Sequence, residues 1–167
     1  MILELVDSGL IQARRTDVFH CFWRAELWPK LTSHVTGIKI VQEKDGWQHY
    51  AMEVESDGKK YAMETTRIAV PPHAIAFHQP KPPAFMRAHT GVWNFEENGL
   101  ETRVKVTHRV DVDDDKAIEM LGLDSVLVAR EKITGNLHKN GLAMINSVGE
   151  FLASQEGKQL ISLQMAS

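Results

Sequence analysis

Residues 100–154 read LETRVKVTHRVDVDDDKAIEMLGLDSVLVAREKITGNLHKNGLAMINSVGEFLAS, and the change of period inside this stretch decides the fold. From 100 to 112 the residues alternate. Leu100, Thr102, Val104, Val106, His108 and Val110 share one face of a strand, while Glu101, Arg103, Lys105 and Arg109 share the opposite, solvated face. Past Asp113-Asp114-Asp115 the period becomes helical. A short helix over 115–121 ends near Gly122. A long one runs from about Ser125 to Ser154, with apolar residues at Val126, Ile133, Leu137, Leu142, Ile145, Val148 and Leu152. Gly135 and Gly141 either weaken this helix locally or let a strand pack closely. The last ten residues read as frayed.

Working back from residue 100, five more segments carry the two-residue period: 35–43, 46–55, 60–70, 73–79 and 85–97. Turn chemistry separates them: Lys44-Asp45, Ser56-Asp57-Gly58, Pro71-Pro72, Pro80 to Pro83 and Asn98-Gly99. Connections this short make sequential neighbours antiparallel. Ahead of them lies a first strand over 2–12, broken by Asp7-Ser8-Gly9 and expected to bulge at the glycine. Two short helices follow it. Thr16 is the candidate N-cap of the first, where Val18, Phe19, Phe22 and Trp23 recur at helical spacing, and Pro29 suits the first turn of the second.

The predicted architecture is therefore α+β. A curved antiparallel sheet of six or seven strands wraps a long C-terminal helix, with two short helices after strand 1. The sheet cannot bury its inner face alone, and the long amphipathic helix is the one large cover available. Where sheet and helix diverge, an apolar cavity opens, and such cavities are ligand sites.

Bulk properties narrow the function. The 167 residues carry a net charge of −3 and are 43% hydrophobic, which fits an ordinary globular protein and gives no basic surface for nucleic acid. The single cysteine, Cys21, supplies neither a disulfide nor a multi-thiolate metal site, and its place on the apolar face of a helix makes it inert core. No run reaches the roughly 18 apolar residues of a membrane span, and the start lacks signal-peptide order, so a cytoplasmic chain is expected. Signatures for zinc hydrolysis, serine hydrolysis and nucleotide binding are missing, and no metal or cofactor is assigned. One continuous domain over 1–167, with its core at about 2–154, is expected.

Strand parity proposes the cavity wall. Tyr61, Met63, Thr65, Arg67 and Ala69 share one face of 60–70, and their bulk places that face inward. His89, Gly91, Trp93 and Phe95 form the inner set of 85–97, and Trp47, His49 and Ala51 that of 46–55. Arg67 stands out, because a guanidinium is a permanently charged fork of five donors. In a dry pocket it can hold a ligand carbonyl or the enolate that develops from it; alternatively it is paired structurally or points outward. His108 and His49 can move protons near neutral pH, although an inner-face histidine is more often a hydrogen-bonded core residue. Trp28, Trp93 and Phe95 can stack on a planar ligand or simply fill the core.

Three stretches together resemble a known family. ELWPKLTSH (26–34) is similar to its acidic-x-Trp-Pro-x-Leu segment. YAMETTRIAV (61–70) is similar to its arginine-bearing strand, and PPAFMRAHTGVWNFEENGLETRVKVTH (82–108) to its Trp-x-Phe-Glu-Glu and Gly-x-x-Thr-Arg pattern. The chain thus resembles the aromatase/cyclases of type II polyketide synthases, within the START-like, helix-grip superfamily. The resemblance covers most of 15–152. It implies a cofactor-independent enzyme that folds a poly-β-ketone, delivered on an acyl carrier protein, in an interior pocket. Regiospecific aldol closure and dehydration of the first ring follow there, alongside other synthase subunits and without nucleic acid or membrane insertion.

By the same resemblance the pocket arginine falls on Arg67, the stacking tryptophans on Trp28 and Trp93, and the bulky strand pair on Tyr61 and Met63. The family's Phe and Tyr after Trp-Pro-x-Leu are replaced by Thr32 and Val35, with His34 adjacent. A proton donor is therefore sought in His34, Tyr61, His108 or a held water. The catalytic set is Arg67, His108 and His34, and the substrate wall is Trp28, Tyr61, Met63, Thr65, Trp93, Phe95, His49 and His89. Arg67→Ala is expected to fold normally. Two other functions use the same fold: a carrier of a lipid or quinone, which predicts a uniformly apolar wall with Arg67 at the rim, and an interaction module with a collapsed cavity. Arg14, Arg15, Lys59, Lys60, Lys81 and Arg87 either meet an acidic carrier protein or form solvated surface.

Overall fold

A computed structural model describes residues 2–166. The strands are β1 (Ile2–Ile11), β2 (Val35–Lys44), β3 (Trp47–Ser56), β4 (Lys59–Val70), β5 (Ala74–Lys81), β6 (Met86–Asn98) and β7 (Glu101–Val112). They form one antiparallel sheet in the order β1-β7-β6-β5-β4-β3-β2. Helix α1 (Arg15–Trp23), a 3-10 turn (Ala25–Leu27) and α2 (Trp28–Leu31) carry the chain from one edge strand to the other. Helices α3 (Asp114–Leu121), α4 (Val126–Ala153) and α5 (Gln155–Ala166) follow the last strand.

Local chemistry sets the helix ends. The Asp113 side chain accepts from the Lys116 amide at the start of α3, and Gly122 closes that helix in the left-handed region at φ 63°. Ser125 caps α4 by accepting from the Leu127 amide. Along α4, Ala129, Ile133, Met144, Ile145, Val148 and Leu152 are buried against the concave face of the sheet. One part of the core joins α1 and α4 to β6 and β7 through Phe19, Phe22, Phe95, Val104, Val106 and Ile145. A second part lies under α3 and includes Phe85, Met86, Val110 and Leu121.

Several expectations are corrected. β1 is unbroken and pairs with β7 in continuous register from Ile2 to Ile11. Gly9 is there for close approach: a Cβ at that position would lie 2.9 Å from Ile145 Cγ2 of α4. Helix α1 starts at Arg15 with Arg14 in the cap position, so Thr16 caps nothing. The reversal after β1, held by Ala13 N–H to the Ile11 carbonyl and by Thr102 Oγ1 to the Ala13 carbonyl, fixes that earlier start. Leu100 is 88% exposed, because Asn98 pairs with Glu101 and leaves Gly99-Leu100 as a two-residue hairpin loop. Leu142 is exposed beside buried Gly141, and Met144 takes the inward place. Of the last ten residues, 158–166 belong to α5, and Ser167 lies outside the described residues.

On β3 the inner parity is the even one. Gln48, Tyr50, Met52 and Val54 stand directly across from Arg67, Thr65, Met63 and Tyr61 of β4, so they share its concave face. Trp47 and His49 stack on the other face, 6.5 Å between centroids, and His49 bonds the Thr66 hydroxyl there.

Candidate active site

Between the concave sheet and α4 lies a cavity of about 170 Å³, partly open to solvent. Most of its wall is apolar, contributed by residues such as Met52, Phe77, Phe85 and Met144. Set into that wall are Arg67, Thr65, Gln79, His89 and His108 from the sheet, His34 from the segment after α2, and Asn136 and Asn140 from α4. Few polar groups converging in an apolar hollow is the pattern of a small-molecule site.

Arg67 sits at one end of the cavity, 1% exposed. Its Nη1 donates to the Phe22 carbonyl at 2.7 Å and its Nη2 to the Trp23 carbonyl at 2.5 Å. Both Nε, at 3.1 Å, and Nη2 donate to Gln48 Oε1. Gln48 is itself oriented by donating to Glu43 at 2.8 Å. The guanidinium carbon lies 4.9, 5.1 and 5.0 Å from the ring centroids of Trp23, Trp28 and Tyr50. A cation thus stands at the C-terminal end of α1, where the helix presents unpaired carbonyls. Among the described residues four of its five N–H groups are engaged, and one on Nη1 is left over.

The second polar feature crosses the sheet as a row. Gln79 Nε2 faces Met63 Sδ at 3.2 Å and Thr65 Oγ1 at 3.3 Å. Gln79 Oε1 meets His89 Nδ1 at 2.7 Å, and His89 Nε2 meets His108 Nδ1 at 2.9 Å. The thioether only accepts, which turns the Gln79 amide nitrogen toward it and fixes the direction of the whole row. Gln79 Oε1 then accepts from His89 Nδ1–H, and His89 Nε2 accepts from His108 Nδ1–H. His108 Nε2 is left as a bare lone pair, buried and without a protein partner among the described residues. Burial, and secondarily the His108 ring, pushes the His89 pKa down to about 3. Burial lowers that of His108 to about 4, opposed by the Asp7 charge and reinforced by His138. Both rings are neutral at pH 7.

His34 is half-buried near the cavity's α2–α4 side. Its Nδ1 is 2.7 Å from the Thr32 hydroxyl, and its pKa is lowered by burial and then by Lys139. Of the expected wall, Trp28, Tyr61, Met63, Thr65, His89 and Trp93 do line the cavity. Phe95 does not: its ring packs edge-on to Phe19 at 5.7 Å and against Phe22 at 5.3 Å. His49 is on the convex side, 3.8 Å from Glu64, because of the β3 parity. Tyr50 and Gln79 were not anticipated, although Gln79 shares the parity of Ile75 and Phe77, which marks an inward polar residue on an apolar face. Cys21 is buried, its thiol pushed up to about 12 chiefly by burial. Of the six surface cations, Arg15, Lys60, Lys81 and Arg87 are paired with carboxylates, and Lys59 bonds the Met120 carbonyl. Among the described residues no cluster of three metal-ligating side chains occurs, and no helix is long and apolar enough to cross a membrane.

Chemically, this geometry offers a neutral acceptor and a rigidly held cation within one apolar hollow. Known proteins resemble the chain in sequence and in fold. The chain is 26% identical over 153 residues to the granaticin polyketide synthase bifunctional cyclase/dehydratase of Streptomyces violaceoruber, covering 90% of this chain and 47% of that protein. It is 29% identical over 117 residues to the actinorhodin counterpart of Streptomyces coelicolor, covering 64% of this chain and 36% of that one. The chain therefore spans about half the length, or less, of the curated relatives it matches. The solved di-domain ARO/CYC BexL from the BE-7585A biosynthetic pathway superposes with a TM-score of 0.81 at 28% identity, covering 89% of this chain and 49% of BexL. The Zhui aromatase/cyclase from Streptomyces sp. R1128 shares the fold at a TM-score of 0.82 and 18% identity, over 94% of this chain and 99% of its own. The sequence model described as polyketide cyclase / dehydrase and lipid transport matches residues 11–139, most of the chain, and the chain belongs to that family.

Proposed function

We propose that this chain, as one domain over 1–167, is a cofactor-independent polyketide aromatase/cyclase that acts in the cytoplasm. It folds a poly-β-ketone, held on an acyl carrier protein of a type II synthase, and promotes aldol closure and dehydration of the first ring. The observation that carries this reading is the bare His108 Nε2 in the same cavity wall as Arg67. A carrier calls for a uniformly apolar wall with the arginine at the rim. Here the arginine is 1% exposed and a histidine row crosses the wall.

A methylene between two carbonyls is acidic, so the difficulty is choosing which carbons join. The cavity does this by proximity and orientation. His108 Nε2 accepts the methylene proton, the enolate carbon attacks a distant carbonyl, and a carbon–carbon bond and an alkoxide form. A base with a pKa near 4 is weak, but its conjugate acid is strong. The imidazolium therefore returns that proton to the new alkoxide, giving the hydroxyl. In the dehydration His108 takes a second proton from the carbon next to the one bearing the hydroxyl and returns it to the departing oxygen, which leaves as water. The leftover Nη1–H of Arg67 holds a substrate carbonyl, and the rest of the guanidinium fixes the wall around Trp28. His34, half-buried in the cavity wall, serves as a second proton carrier.

The test is His108→Gln in a synthase reconstituted with its carrier protein, with folding checked by circular dichroism. Loss of the cyclised product from a folded variant is expected; an unchanged product distribution would remove the assigned role.

A further inference from the structure

The mechanism above leaves one buried carboxylate unused. Asp7, on the inner face of β1, has a side chain only 8% exposed, and its Oδ1 is paired with His138 Nδ1 of α4 at 2.7 Å. Its Oδ2 makes no hydrogen bond to protein among the described residues, and neither does His108 Nε2. The two orphans meet at one place. Measured from the point where a Cβ on Gly141 would stand, Asp7 Oδ2 is 3.4 Å away, Val106 Cγ1 3.5 Å and His108 Nε2 4.0 Å. Gly141 is buried in α4 and lines the cavity, so its missing side chain leaves a notch between the two groups.

Both orphans are acceptors: Asp7 as a carboxylate, and His108 Nε2 because the row from Met63 puts its proton on Nδ1. Two buried acceptors around one notch call for a small molecule with two donors, and buried polar groups normally find partners, often water. We propose that the Gly141 notch binds one water molecule, donating one hydrogen to Asp7 Oδ2 and the other to His108 Nε2, and that through it Asp7 is the counter-charge to His108 during turnover. The second half rests on the reading of His108 as proton acceptor. The substrate's proton passes to the water oxygen as the water gives a hydrogen to Nε2, so water is neither made nor consumed. The resulting imidazolium then faces the Asp7 carboxylate through the same molecule. His138 fixes the carboxylate's orientation from the solvent side, its side chain 41% exposed. Asp7 and His138 act as positioning residues.

A pair of alanine substitutions in the same helix tests the water site without any substrate. Gly135 is exposed, with nothing within 4 Å of a Cβ, so Gly135→Ala raises Tm by about 2–4 °C through helix propensity. Gly141→Ala also fits, since no contact falls below 3.4 Å. If the notch were dry, the extra buried methyl would raise Tm at least as much. If the notch holds water, the methyl displaces it and strands two acceptors. A Tm unchanged or lowered, or raised by less than about 2 °C, is the expected result; any larger rise overturns the water site. Turnover then tests the counter-charge. Asp7→Asn lowers kcat about tenfold at unchanged KM. A normal rate in Asp7→Asn, with His108→Gln inactive, overturns the role of Asp7 while leaving His108 standing. A fully active His108→Gln removes the proposed chemistry instead, and the thermal pair still decides the water site by itself.

Discussion

Replacing Arg67 with alanine and with methionine separates its donor role from its packing role. Truncation leaves the Phe22 and Trp23 carbonyls and Gln48 Oε1 without their donor. Each stranded buried acceptor costs about 1–3 kcal/mol, and the contacts with three aromatic rings add about 0.5–1 kcal/mol apiece. Against this, the variant no longer has to desolvate a charge, which offsets part of the loss. In Arg67→Ala the adjoining cavity admits water to the stranded carbonyls, so the low end applies. The expected loss is about 3 kcal/mol, or a Tm lower by about 6–12 °C. This replaces the sequence-based expectation of normal folding. Methionine fills the volume and keeps water out, so Arg67→Met is less stable than Arg67→Ala, the reverse of the usual order for a core position. Urea unfolding followed by tryptophan fluorescence reports directly, since Trp23 and Trp28 flank the guanidinium. If methionine is the more stable of the two, or alanine costs less than about 1 kcal/mol, the guanidinium is acting as filler and the argument fails.

The histidine row makes stability depend on pH in a definite direction. His89 and His108 are held neutral, with pKa values near 3 and 4 against an ordinary 6.5, so below pH 6.5 the unfolded chain binds more protons than the folded one. Stability is complete above pH 7 and falls as pH drops from 6.5 toward 4, by up to about 1.4 kcal/mol per pH unit for each ring. His89→Gln therefore gives a shallower slope of Tm against pH over 7 to 4.5, and equal slopes would contradict the pair's neutrality. Gln79→Leu removes the acceptor of His89 Nδ1–H, destabilises the fold by about 1–3 kcal/mol, and releases the row's fixed direction. Nitrogen NMR of the imidazoles checks this: His108 is expected to lose its single Nδ1–H tautomer, and an unchanged tautomer would show that Gln79 does not set it.

What was legible in the chain followed from periodicity. Strand β7 alternates without exception between Thr102 and Val110, and α4 carries its apolar stripe through Ile133, Ile145, Val148 and Leu152, so the sheet-and-helix architecture could be read directly. Parity failed where bulk sat on the wrong face. Trp47 drew β3 into the odd register, although Tyr50, Met52 and Val54 are the cavity residues. In β1 the outward Ile2, Val6 and Leu10, all roughly half exposed, disguised the inward set that contains Asp7. That Arg67 points inward was visible from Tyr61 and Met63. What holds it was not, because two of its partners are backbone carbonyls that every residue type possesses. The His108–His89–Gln79 row depends on register across three strands, which no single segment reveals.

The register of β1 on β7 has a consequence for how the molecule is made. Leu3 lies beside Val110 and Leu10 beside Arg103, so the two strands meet only after nearly a hundred intervening residues have been synthesised. Until then the early strand waits outside the ribosome with its backbone unpaired and Leu5 and Ile11 uncovered. Closing so large a loop makes this pairing the slow, late step of assembly, and the nascent chain is most vulnerable to sticking to its neighbours just before it.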